Sequence, residues 1–65
     1  MTKLRKMLME RNWSINELSR RSGVDKSIIY KYYHGSVVKP NDLTLYKFAK
    51  ALNCNVEDVM EENLD

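Results

Sequence analysis

Apolar residues along this chain recur at helical spacing, and nowhere do they alternate convincingly as a strand requires. Leu4, Met7, Leu8 and Arg11 form an i, i+3, i+4, i+7 stripe. It predicts a first helix ending near Asn12, a residue that tolerates the left-handed conformation. Trp13-Ser14-Ile15-Asn16-Glu17-Leu18 predicts a second start near residue 15. Ser14 stands three positions before Glu17, as in a capping box, and Trp13 and Leu18 have the spacing of a hydrophobic staple. The arrangement recurs at Val24-Asp25-Lys26-Ser27-Ile28-Ile29, with Asp25 as cap and Val24 stapled to Ile29. It recurs again at Cys54-Asn55-Val56-Glu57-Asp58-Val59, with Asn55 as cap and acids in the first turn, where the dipole favours them. Starts near residues 26 and 56 follow. A further helix runs from about Asp42, after Pro40 and Asn41, through Leu45, Phe48, Ala49 and Leu52 to Asn53. The expectation is an all-α chain of five short helices.

The second helix is only about two turns long, and Gly23 lies in the link Ser22-Gly23-Val24 before the third. Glycine there permits a positive φ. A short helix, a Gly turn and a second helix make a helix-turn-helix unit, although an αα-hairpin in a small bundle needs no ligand. What the third helix displays therefore matters. At about 100° per residue, Ile29, Tyr32 and Tyr33 share an inward side, and Ser27, Tyr30, Lys31 and His34 share the opposite one. That outer stripe carries no acid, and its groups can donate to phosphates and to base edges in a major groove. Lys26 and Ser27 occupy the first turn, where a recognition helix meets bases.

Charge sharpens the picture. Residues 1–39 carry nine basic side chains against three acids, and residues 40–65 carry two against six. A basic half joined to an acidic half suggests a polyanion-facing surface and a separate solvated or self-associating one. With 65 residues, 43% apolar and 31% charged, the chain has room for one globular domain spanning 1–65. No apolar run is long enough to span a membrane, there is no signal-peptide core, and one Cys makes no internal disulfide, so the default compartment is the cytoplasm.

Other chemistry is thin. His34 and the lone Cys54 lie twenty residues apart and do not make a metal or nucleophilic site. Glu57, Asp58, Glu61 and Glu62 read as a solvated acidic face, and no phosphate-binding glycine loop or catalytic triad is present. No enzyme, cofactor, metal site or small-molecule ligand is expected.

From Leu4 to Met60 the chain resembles the Cro and phage-repressor (Xre-like) helix-turn-helix family. The resemblance rests on Ser14-Ile15-Asn16-Glu17-Leu18-Ser19, Ser22-Gly23-Val24, Ile29, His34-Gly35, Lys39-Pro40 and Thr44-Leu45-Tyr46-Lys47-Phe48-Ala49-Lys50-Ala51-Leu52. It implies a lambda-repressor-like five-helix fold and a dimer that binds double-stranded DNA to repress or otherwise regulate transcription. It implies that Lys26, Ser27 and Lys31 read bases and that His34 contacts backbone or base. Tyr30 would meet a phosphate or a thymine methyl, and residues 36–39, Ser36 and Lys39 among them, would touch the phosphate backbone. Three positions depart from the pattern. Ile15 stands for a phosphate-binding Gln, leaving Asn16, Arg20 and Lys6 as candidates to compensate; Leu8 replaces a basic residue, and Ser19 a small Ala. Val56, Val59, Met60 and Leu64 are candidates for the dimer contact. The competing reading is a helix-turn-helix module, such as an antitoxin or adaptor, whose main ligand is a protein.

Overall fold

The computed structural model describes residues 1–61. Four helices follow in order, α1 (Lys3–Arg11), α2 (Ile15–Ser22), α3 (Lys26–His34) and α4 (Asp42–Leu52), and then one 3-10 turn, Val56–Asp58. Each helix opens on a side-chain cap. Thr2 Oγ1 accepts from the Arg5 N–H at 3.1 Å and Ser14 Oγ from the Glu17 N–H at 3.1 Å. Asp25 Oδ2 accepts from the Ser27 N–H at 3.2 Å, and Asn41 Oδ1 from the Thr44 N–H at 3.1 Å. Each helix closes on a left-handed residue: Asn12, Gly23, Gly35 and Asn53, with φ of 60°, 75°, 77° and 57°. At Gly35 space is tight as well, since a Cβ would stand 3.3 Å from Thr2 Cγ2.

One core joins the elements. Leu4 and Leu8 of α1, Leu18 of α2, Val24 of the turn, Ile29 of α3, Leu45, Phe48 and Leu52 of α4, and Val59 are all buried. Trp13, Val24 and Cys54, each preceding a cap, pack on or within this core as staples should. Arg11 closes the far end, its Nη2 donating to the Leu52 carbonyl at 3.0 Å. The capping box at α2 is only half made. Glu17 does not complete it with its carboxylate, which accepts instead from Arg20 at 2.5 Å and from Arg21.

The expected fifth helix is a correction: the chain makes a single 3-10 turn there. Asp58 takes the Asn55 N–H at 3.0 Å, and Val59 then drops into the core. Glu61 swings back to α1, where its Oε2 accepts from the Lys3 N–H at 2.6 Å, and Lys3 Nζ donates to the Glu57 carbonyl at 3.2 Å. A continued helix would set Glu57 and Glu61 one turn apart, like charges at a negative helix end. The turn instead brings a carboxylate to an orphan N–H at the positive end of α1. Glu61 is thus a tether rather than only part of a solvated face.

Candidate nucleic-acid interface

The turn between α2 and α3 is braced by two serines. Ser19 Oγ donates to the Val24 carbonyl at 2.7 Å, and Ser22 Oγ accepts from the Val24 N–H at 3.2 Å. The serine that departs from the usual small residue therefore ties the turn it faces. The other end of α3 is held just as firmly. Thr2 Oγ1 donates to the Tyr33 carbonyl at 2.7 Å, and Tyr32 packs edge-on against Phe48 with centroids 5.3 Å apart. The Tyr32 hydroxyl accepts from the Asn41 N–H at 2.8 Å, which fixes where the connecting loop ends.

With Ile29 buried and Tyr32 and Tyr33 half-buried, the opposite side of α3 faces solvent as the periodicity requires. Lys26, Ser27, Tyr30, Lys31 and His34 are all exposed. Among the described residues the only ion pairs join Glu17 to Arg20 and Arg21, so Lys26 and Lys31 are not neutralised by a salt bridge. The His34 ring packs on Tyr30, centroids 4.7 Å apart, and on Tyr33 at 5.0 Å, and the Arg5 guanidinium lies 5.4 Å from the Tyr33 ring centre. The lower half of the stripe is therefore an aromatic unit with an imidazole held in it.

Ser27 is more committed than its position on the wheel suggests. Its hydroxyl donates to Asp25, the cap of its own helix. That hydroxyl, then the Ser27 N–H, hold the Asp25 carboxyl below its ordinary pKa, with Lys26 adding to the effect and desolvation opposing it. The donor is used, and the oxygen still offers lone pairs.

Asn16, Ser36 and Lys39 lie on other elements, Asn16 in the first turn of α2 and the other two in the loop after α3, and all three are exposed. The Ser36 N–H donates to the Lys31 carbonyl at 2.8 Å, so the loop leaves α3 in a fixed direction. Of the candidates for the phosphate contact that Ile15 does not make, Arg20 is paired with Glu17. Lys6 lines a groove with Lys3, Met7, Glu10 and Asp58. Asn16 stands exposed in the first turn of α2, at the end away from the Gly23 turn.

Ile28 lies outside the site that the sequence predicts. It is 40% exposed in the first turn of α3, between the outer stripe and the packed side. The wheel places it 100° from Ser27, a sign that it lies at the margin, but its apolar character favours assigning it to the core.

Elsewhere the chemistry is quiet. Burial and then Asp58 push the Cys54 thiol above its ordinary pKa, and Arg11 opposes them. No group of three or more His, Cys, Asp or Glu among the described residues is placed to hold a metal ion. No described helix is long and apolar enough to cross a membrane.

Two short helices joined through a braced left-handed glycine, with an exposed acid-free stripe on the second, define a helix-turn-helix DNA-binding unit. The model of the Cro/C1-type HTH DNA-binding domain matches residues 3–65, and the chain belongs to that family. No curated protein and no solved structure shows significant similarity to it.

Proposed function

We propose that this protein is a transcriptional regulator, acting as a repressor, that binds double-stranded DNA sequence-specifically as a homodimer. The carrying observation is the outer face of α3, an exposed stripe with two lysines that pair with no acid among the described residues, on a helix fixed at both ends. In this reading α3 enters the major groove, where Lys26, Ser27, Tyr30, Lys31 and His34 face base edges. Asn16, Ser36 and Lys39 hold the phosphate backbone on either side. Ser27 acts as an acceptor, since its proton is engaged by Asp25.

The second protomer supplies a second half-site. A single module of this size buries too little surface for tight specific binding, and half-sites about 34 Å apart suit paired modules. The longest extent of the described chain is 33 Å. The expected dimer contact needs revision, because Val59 is core and Val56 is half-buried. Met60 stays exposed, and Leu64 lies outside the described residues. Another exposed apolar pair lies on α4, where Leu43 and Tyr46, 60% and 53% exposed, line one shallow groove. That face also supports the second reading, a module whose main ligand is another protein.

Selection of bound sequences from a random DNA pool, followed by affinity measurements at several salt concentrations, tests the proposal. An enriched inverted repeat that outcompetes scrambled DNA is the expected result. Binding that depends on salt alone, with no enriched sequence, would overturn it.

A further inference from the structure

We propose that Ile28 is a specificity-determining residue that reads a thymine methyl group in each half-site; this rests on the DNA-binding reading above. Ile28 is the third residue of α3, in the turn where base contacts concentrate. The next residue, Ile29, is wholly buried, whereas Ile28 keeps 40% of its surface in solvent. One turn on, at i+3, stands exposed Lys31. At i+4 stands Tyr32, which packs on Phe48 and holds the Asn41 N–H. Ile28 therefore lies along the border between the base-facing stripe and the loop expected to track the backbone.

An isoleucine is an awkward choice for an exposed helical position, with a restricted χ1 and an apolar surface in water. In a major groove its chemistry becomes selective. The edges of adenine, guanine and cytosine present donors and acceptors there, and thymine adds the C5-methyl, the one apolar group. A sec-butyl group against a polar edge strips water from that edge and returns no hydrogen bond. Against a methyl it buries apolar surface on both sides. Ile28 selects for thymine by that difference, and the lysines beside it add affinity without requiring that base.

The test uses the full chain and the operator obtained by selection. Each thymine of one half-site is replaced in turn by uracil, which differs only by the missing methyl. The wild-type protein is expected to lose about four- to tenfold in affinity at one position. Ile28→Ala should lose less than about twofold there and respond as wild type at every other thymine, because one methyl contact accounts for the difference. Ile28→Val, which preserves most packing, should show an intermediate penalty. Each comparison is made within one variant, so any loss of fold stability cancels. Identical uracil penalties for wild type and Ile28→Ala at all positions would overturn the assignment while leaving DNA recognition intact. Failure of the pool to yield a preferred sequence would remove both, and the two failures are thereby distinguished.

Discussion

Of its eleven residues α4 buries Leu45, Phe48, Ala49 and Leu52, whereas α3 buries only Ile29 of nine. The helix that holds the fold together spends its side chains inward. The helix that displays the functional face has few to spend, and is held by tethers at its ends. Thr2 binds the Tyr33 carbonyl, Tyr32 binds the Asn41 N–H, and Ser19 and Ser22 bind the two polar groups of Val24. Such bonds each contribute on the order of 1 kcal/mol and leave the outer face free to carry polar, sequence-reading side chains. Stability and recognition are thereby assigned to different helices, and substitutions can test that division.

The largest expected effect is on α4. Phe48 is 0% exposed, and Phe48→Ala should cost about 3–5 kcal/mol, a large part of the stability of a domain this small. Thermal melting followed by circular dichroism should show the transition lost or moved far down. Lys31→Ala, on the outer face of α3, should melt within about 0.5 kcal/mol of the parent. A Phe48→Ala variant as stable as wild type would break the comparison.

Trp13 lies between the two extremes. It is half-buried against the core, with the Arg21 guanidinium 4.4 Å from its ring centre. Trp13→Ala should cost roughly 2 kcal/mol, less than truncating a fully buried aromatic, and should weaken DNA binding only as far as it unfolds the chain. A variant that melts like the parent yet fails to bind DNA would move Trp13 to the binding face.

Within the recognition face, base reading and backbone positioning should separate. Lys31→Ala is expected to cost about 1–3 kcal/mol on the selected operator and to relax preference at one base position per half-site. Lys39→Ala, in the loop after α3, should weaken all sequences alike and flatten the salt dependence by about one unit of slope. Affinities on operator and scrambled DNA across a salt series distinguish the two. Equal losses on both DNAs for Lys31→Ala would reassign it to phosphate.

Much of this division can be read from the chain, and the parts that cannot share a cause. Four helices are legible because their ends are encoded locally: Thr44 is three residues from its cap Asn41, Glu17 three from Ser14, and glycine or asparagine follows each last turn. The outer stripe of α3 is legible from periodicity alone. The fate of residues 56–61 is not, because the contact that decides it joins Glu61 to Lys3, 58 positions away. The engagement of Ser27 and the half-formed box at Glu17 are choices between neighbouring partners that spacing leaves open. Ile28 escapes for the opposite reason, since apolar character argues for burial and only the fold shows that it is withheld.

The smallest expected effect concerns the caps that set the two helices of the motif. Asp25 is held below its ordinary pKa by the Ser27 hydroxyl and N–H, and Glu17 by Arg21 first and Arg20 after it, with desolvation opposing both. A carboxylate with a depressed folded value binds its proton more readily in the unfolded chain. Its contribution is therefore present above the unfolded range near pH 4 and is lost as pH falls through the lower folded value. Melting temperature should be flat through neutrality with respect to these two groups and fall on the acid side. Asp25→Asn keeps a side chain that caps helices well but cannot titrate, so its acid limb should be shallower than that of wild type. Asp25 is exposed and Glu17 only half-buried, so added salt should blunt the part of the effect that comes from Arg20, Arg21 and Lys26 and spare the part that comes from the Ser27 hydrogen bonds. An acid limb unchanged by Asp25→Asn at any salt concentration would show that the α3 cap contributes nothing through its charge, leaving the serine braces and the Thr2 tether to position the recognition helix.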